Sequence, residues 1–254
     1  MNFKFRSFAL LIAPLALTLG SNSVSASTIT FVTPSGSMAT GGDGPVSASA
    51  AFTTSAGQVM ITLTNTLALS SFRDVGETIS DLSFTLSNAP GTVTAATASG
   101  QQGNISSTGL VTYTTGSPDR FIGVGSGISG NTITLEAIGG GKPTELIAPF
   151  LANGSIYPDT NPGIDAHNPY TIGPATFTIS LTGVTSSTTI NAATFSFGTG
   201  PDTFVPGTPV TTPPPPTVPE PSSLLLALTG LAALGAAQVI RFRSTSSGGA
   251  TQVI

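Results

Sequence analysis

The chain has 254 residues, and only 7% are charged, against roughly 25% in an ordinary soluble domain. Lys4, Arg6, Arg241 and Arg243 sit in the end segments, so residues 27–221 hold three basic residues against eleven carboxylates, a balance of −8. That excludes the basic footprint a nucleic acid requires and predicts repulsion from an anionic membrane surface. With no cysteine, disulfides, thiolate metal sites and a cysteine nucleophile are excluded too.

The first segment reads as a signal peptide, residues 1–26. Lys4 and Arg6 form a positive start, Phe8–Leu19 is an apolar run interrupted by Pro14, and Val24-Ser25-Ala26 offers small residues for a signal peptidase. The cut is expected between Ala26 and Ser27. The apolar run falls short of the roughly 20 residues that span a bilayer.

Residues 27–198 alternate. PVSASAAFTT places Val46, Ala48, Ala50 and Phe52 on one face; QVMITLTN does the same with Val59, Ile61 and Leu63. DLSFTLS, ATFTISLTG and AATFSFGTG repeat the pattern, with TITFV, GTVTAAT, LVTYTT and NTITLEA as weaker versions. Period two means one buried and one wet face. About nine or ten such strands between Gly, Pro and Asn turns predict an all-β fold, an antiparallel β-sandwich. A short turn is expected near Glu145–Leu151.

Several stretches invite a chemical reading. Asp74, Glu77 and Asp81 are close enough in sequence to suggest paired carboxylates for glycoside hydrolysis, but read more simply as carboxylates of a solvated loop. Gly125–Gly130 matches GxGxxG, yet NTITLEA follows where a nucleotide site needs a helix. Gly139–Thr144 resembles the end of a phosphate loop, but Pro143 occupies the hydroxyl position. In YPDTNPGIDAHNPY, Asp159, Asn161 and Asp165 form a calcium candidate; Tyr170 stands where the closing Glu of a calcium loop belongs, and Asn and Asp favour turns unaided. His167, the one histidine, is expected to hydrogen-bond within this loop. No catalytic residue, resident metal or cofactor is expected. With no Trp and three Tyr, aromatic platforms for sugar stacking are scarce.

Residues 199–217 are rich in Pro and Thr. They read as an extended spacer; 199–221 would reach up to about 70 Å at ~3.1 Å per residue. Then comes VPEPSS, an apolar run Leu224–Ile240, and Arg241 and Arg243. As a helix, 224–240 would be about 25 Å long, a short single transmembrane span. The arginines would stay cytoplasmic, with everything before Leu224 outside.

Val218, Pro219, Glu220, Pro221 and Ser222, the apolar run, and Arg241 and Arg243 together resemble the PEP-CTERM sorting signal, here residues 218–243. Residues 244–254 form a tail longer than such signals usually carry. The resemblance implies an exported protein of a Gram-negative bacterium, anchored transiently in the inner membrane. An exosortase would cut it near Pro-Glu-Pro. The body, through PVSASAAFTT, VMITLTN, ISDLSFTLS, AHNPY and TFSFGTG, is similar to an uncharacterised ectodomain attached to such signals. These features predict a non-enzymatic cell-surface or matrix protein, structural or adhesive, linked to exopolysaccharide or biofilm. Its partners are signal peptidase and exosortase, with no nucleic acid. The alternatives are a secreted hydrolase of a polymeric substrate and a calcium-dependent adhesin.

Overall fold

A computed structural model describes residues 27–40, 44–119, 127–137, 143–200 and 203–210. The signal-peptide and sorting-signal readings therefore lie outside the described residues, apart from Ser27. The strands are β1 (Ser27–Val32), β2 (Ala48–Ser55), β3 (Gln58–Asn65), β4 (Ile79–Leu86), β5 (Val93–Ile105), β6 (Val111–Tyr113) and β7 (Ile128–Ser129). They continue as β8 (Thr132–Glu136), β9 (Ile147–Ala148), β10 (Tyr170–Leu181), β11 (Ile190–Phe197), β12 (Thr203–Pro206) and β13 (Thr208–Val210). All nine alternating stretches form strands. In β2 and β3 every second residue is buried, as period two requires. The outward hydroxyls pair across strands, Ser83 with Thr134 at 2.8 Å and Thr85 with Thr132 at 2.9 Å.

The thirteen strands form one mixed sheet, ordered β12-β11-β4-β9-β10-β3-β2-β1-β13, with β5 and β6 branching from β10 and β8 and β7 from β4. Two features differ from the sequence reading. First, the stretch expected as a turn near Glu145–Leu151 supplies β9. Its Ile147 pairs with Ile79 of β4 and, in parallel, with Thr171 of β10. This adds a parallel pair to an otherwise antiparallel set. Glu145, at φ 65°, turns the chain just before it. Two residues are too few to show a period.

Second, β12 and β13 lie inside residues 199–217, so the sheet continues into the first half of the expected spacer, as far as Val210. Pro206 and Pro209 are tolerated there because β12 and β13 are the two ends of the strand order, where a missing N–H breaks no ladder. One residue, Gly207, joins them. Its N–H donates to Ala193 O at 2.8 Å. A Cβ there would lie 3.0 Å from Phe195 and 3.1 Å from Phe31. The first and last strands are thus consecutive in the chain, and the sheet returns on itself around its core. Phe52 sits in that core, with ring centroids 5.9 Å from Phe31 and 5.2 Å from Phe84.

The register defines two ends of the body. At one, Ser27 opens β1 opposite Thr54, and β13 runs antiparallel to β1 with Thr30 opposite Val210. Both described chain ends leave here. The turns around Gly57, Gly91, Asn131 and Val184 close this exit end, tied by Gly57 N–H to Val184 O (2.8 Å) and Thr182 N–H to Thr92 O (3.1 Å). The other end gathers the end of β3, the starts of β4 and β10, and the end of β11. Among the described residues no helix is long and apolar enough to cross a membrane.

Candidate functional site

A cleft of about 350 Å³ opens at this second end, lined by Asp74, Gly76, Asn161, Gly163, Thr199 and Thr203 among others. Two 3₁₀ turns build it, Val75–Glu77 and Pro162–His167. Each begins with the same pattern, an Asx residue followed two places later by Gly. Asp74 Oδ1 accepts from Gly76 N–H at 2.7 Å, and Asn161 Oδ1 from Gly163 N–H at 3.1 Å. The side chain thereby satisfies a donor that the short turn leaves open. Pro162 stands at the first position of its turn, where no N–H is needed. Asn161 N–H donates to Arg73 O at 2.5 Å, which fastens the two turns together. The third wall follows β11, where Gly198 N–H donates to Thr78 O at 2.9 Å.

Beneath the cleft lies a buried carboxyl. Glu77 is fully buried, and its Oε2 accepts from Asp74 N–H at 3.2 Å and from Arg73 N–H, completing a capping box with Asp74. Its Oε1 is buried without a hydrogen-bond partner and faces Gly44, where a Cβ would come within 2.5 Å. Burial pushes the Glu77 carboxyl up to about 7, and the Asp74 carboxylate adds to this. The two backbone donors and the Arg73 charge oppose the rise.

The three acidic residues do not share one space. Asp74 lines the cleft, and Glu77 is buried under the turn. Asp81 is buried at the start of β4, accepting from Ala137 N–H at 3.1 Å and from Ser80 Oγ at 3.4 Å. The expectation of solvated loop carboxylates is therefore corrected for Glu77 and Asp81. Both are taken out of water by backbone and hydroxyl donors.

The calcium candidates are spread out. Asp159 is exposed in a turn, Asn161 faces the cleft with its oxygen bonded to Gly163, and Asp165 is exposed within the second 3₁₀ turn. Among the described residues no group of three His, Asp or Glu is placed to hold a metal ion. His167 Nδ1 lies 3.0 Å from Pro143 O, so this nitrogen donates and ties the loop to its neighbour. All three tyrosine hydroxyls donate to backbone carbonyls: Tyr113 to Leu151, Tyr157 to Pro149 and Tyr170 to Ile164. The described part of the GxGxxG stretch enters the β7–β8 hairpin, so no helix N-terminus follows it.

The cleft offers a carboxylate, a carboxamide, hydroxyls and glycine backbone, and no basic side chain is among its described lining residues. That set suits cations or neutral hydroxylated groups and disfavours anions. The sequence hides this site because its two Asx-X-Gly turns lie far apart in the chain. The shared pattern, D-V-G and N-P-G, was the available signal.

Residues 217–241 match the PEP-CTERM protein-sorting motif. The match contains Val218, Pro219, Glu220, Pro221, Ser222 and Arg241; Arg243 follows two residues later. The motif implies an exported protein, anchored in a membrane before an exosortase processes it. No curated protein and no solved structure matches the chain.

Proposed function

We propose that this chain is a non-catalytic surface or matrix protein of a Gram-negative bacterium, whose β-sandwich body an exosortase releases to the exterior near Pro219-Glu220-Pro221. The observation that carries the reading is the sorting motif at residues 217–241, which begins seven residues after β13 ends. A signal peptide over 1–26 supplies export, and residues 224–240 hold the precursor in the inner membrane until the cut. The sandwich is supported by the contact of Phe52 with Phe84, from separate runs of the sheet, and by the one-residue link between its two ends. Glycoside hydrolysis needs two carboxylates flanking a bond, and Asp74 is the one carboxylate among the described lining residues. This favours a structural or adhesive role in an exopolysaccharide matrix over a hydrolase.

Intact mass of the protein from hosts with and without a matching exosortase tests the reading. Loss of the residues after Pro-Glu-Pro in the first host alone is the expected result. Retention of 224–240 in both would make this a resident membrane protein. Turnover of polysaccharide by the purified chain, abolished by Asp74→Asn, would instead make it an enzyme.

A further inference from the structure

The two Asx side chains of the cleft each commit one atom to their own turn and keep another. Asp74 Oδ1 accepts from Gly76 N–H, and Asn161 Oδ1 accepts from Gly163 N–H. Asp74 Oδ2, an acceptor, and Asn161 Nδ2, a donor, take no hydrogen bond from the described residues. Thr203 Oγ1 accepts from Thr40 N–H at 2.8 Å and keeps its own O–H to give. Thr199 adds an exposed hydroxyl, and Val75, Ile164 and Phe197 supply apolar carbon to the walls. These groups are held before any ligand arrives. Asn161 N–H on Arg73 O fastens one turn to the other, and Gly198 N–H on Thr78 O fixes the wall from β11. Preorganisation of this kind lowers the ordering cost of binding.

We propose that the cleft holds one neutral sugar unit of a polysaccharide. This deepens the matrix role proposed above and rests on it, in that the sugar is held and not cut. A sugar hydroxyl both donates and accepts, so neighbouring hydroxyls can donate to Asp74 Oδ2 and accept from Asn161 Nδ2. The C–H face of the ring is left for Val75. The volume of about 350 Å³ lies at the lower end of the roughly 300–1,000 Å³ of small-molecule sites, room for a single unit. A cation fits the same groups less well: it would find one carboxylate, since the Asn161 oxygen is already taken. An anionic sugar would meet the Asp74 carboxylate with no basic side chain among the described lining residues to offset it. An extended peptide would want a free strand edge, and β11 is paired on both sides, with β4 and β12. No exposed aromatic ring lines the cleft, so one unit is held weakly. Retention on a polymer then comes from many copies of the protein on many repeats.

Gly163 offers a way to close the cleft without disturbing the fold. Its backbone is outside the left-handed region, and a Cβ there would meet only Asn161 Oδ1, at 3.7 Å. The packing of the protein itself therefore does not require glycine at this position.

The test is saturation-transfer NMR on the full chain, in chelator, with the methyl glycosides of glucose, galactose, mannose and N-acetylglucosamine as probes. At least one is expected to receive saturation, and methyl glucuronide is not. Asp74→Asn and Asn161→Asp keep the oxygen that caps each turn and change only the other atom. Each should weaken binding about tenfold or more, as loss of a hydrogen bond to a charged or buried partner does. Gly163→Leu should abolish it. Melting temperatures should stay close to wild type in all three, which separates a lost site from a lost fold. No saturation of any neutral glycoside overturns the proposal. Binding that survives all three substitutions overturns the cleft as its place, and equal binding of the glucuronide overturns the role given to Asp74. Binding that appears only when calcium replaces chelator makes the cation, and not the sugar, the primary ligand. Steady release of free sugar from a polysaccharide would instead overturn the non-catalytic reading on which this rests. Each of these outcomes leaves the sorting motif and its processing untouched, because intact mass reads those separately.

Discussion

At the exit end, Asn88 donates to Gly183 O at 2.7 Å and accepts from Thr188 Oγ1 at 2.8 Å. At the cleft end, Asp74 and Glu77 do the comparable work of fastening backbone, with charge. Both schemes satisfy turn N–H and C=O groups that the strands leave open. Neutral donors and acceptors do this with little desolvation cost and no dependence on pH. Carboxylates form stronger bonds to N–H groups, but burying one is expensive when an oxygen lacks a partner, as Oε1 of Glu77 does. The body therefore has one end indifferent to pH and one end that responds to it.

The largest effect expected tests whether these ends belong to one cooperative unit. Phe52 is fully buried and touches both Phe31 of β1 and Phe84 of β4. Phe52→Ala should cost about 3–5 kcal/mol, and amide exchange should quicken at both ends together. Quickening confined to one end would break the body into separately stable parts.

The next effect is a pH dependence that belongs to the cleft end alone. The folded state holds the Glu77 carboxyl at about 7, above its ordinary value of 4.5. A raised carboxyl is protonated more readily in the folded protein than in the unfolded chain. Its contribution is fully present below about pH 4.5, declines as pH rises through 7 and is gone above that. Wild type should lose up to about 3 kcal/mol across this window relative to Glu77→Gln, at ~1.4 kcal/mol per pH unit. Thermal melts of the two proteins from pH 4 to 8 measure the difference. Parallel curves would remove Glu77 as the source.

The exit and cleft ends also differ in how far they could be read from sequence. Period two gave β2, β3, β4, β10 and β11, because each is long enough for its buried face to repeat. It could not give β9 or β7, at two residues each, nor β12 and β13, whose prolines suggested a spacer. Glu77 was misjudged for a different reason. Charge argues for the surface, whereas the D-x-x-E spacing of a capping box argues for a carboxyl folded back on its own turn, and here the second held. The pairing of Asp81 with Glu136 was invisible, because the two become neighbours only when β4 and β8 pair.

A smaller effect separates the two turns of the cleft from the exit end. Asn161→Ala removes the oxygen that receives Gly163 N–H and should cost about 1 kcal/mol, as lost caps do. Its exchange signature should stay within residues 161–168 and the facing Asp74 turn. Asn88→Ala should cost a similar amount, about 1 kcal/mol for its hydrogen bonds, with its signature confined to residues 87–92 and 182–189. Overlapping signatures would mean that the ends are coupled through the sheet and are not independently fastened.

The smallest expected effect concerns calcium, which would act on the cleft end if it acted at all. A ligand held only by the folded state raises stability by RT ln(1 + [L]/Kd). A site of extracellular strength, with Kd near 1 mM, would therefore raise the melting temperature visibly in excess calcium. Asn161 already spends its Oδ1 on Gly163, and Asp159 and Asp165 are exposed and do not line the cleft. Melting temperatures in calcium and in chelator should agree. A rise in calcium that disappears in Asp165→Asn would restore the calcium-dependent adhesin. A rise that disappears in Asp74→Asn would instead place a cation in the cleft, with the carboxylate of Asp74 as its principal ligand.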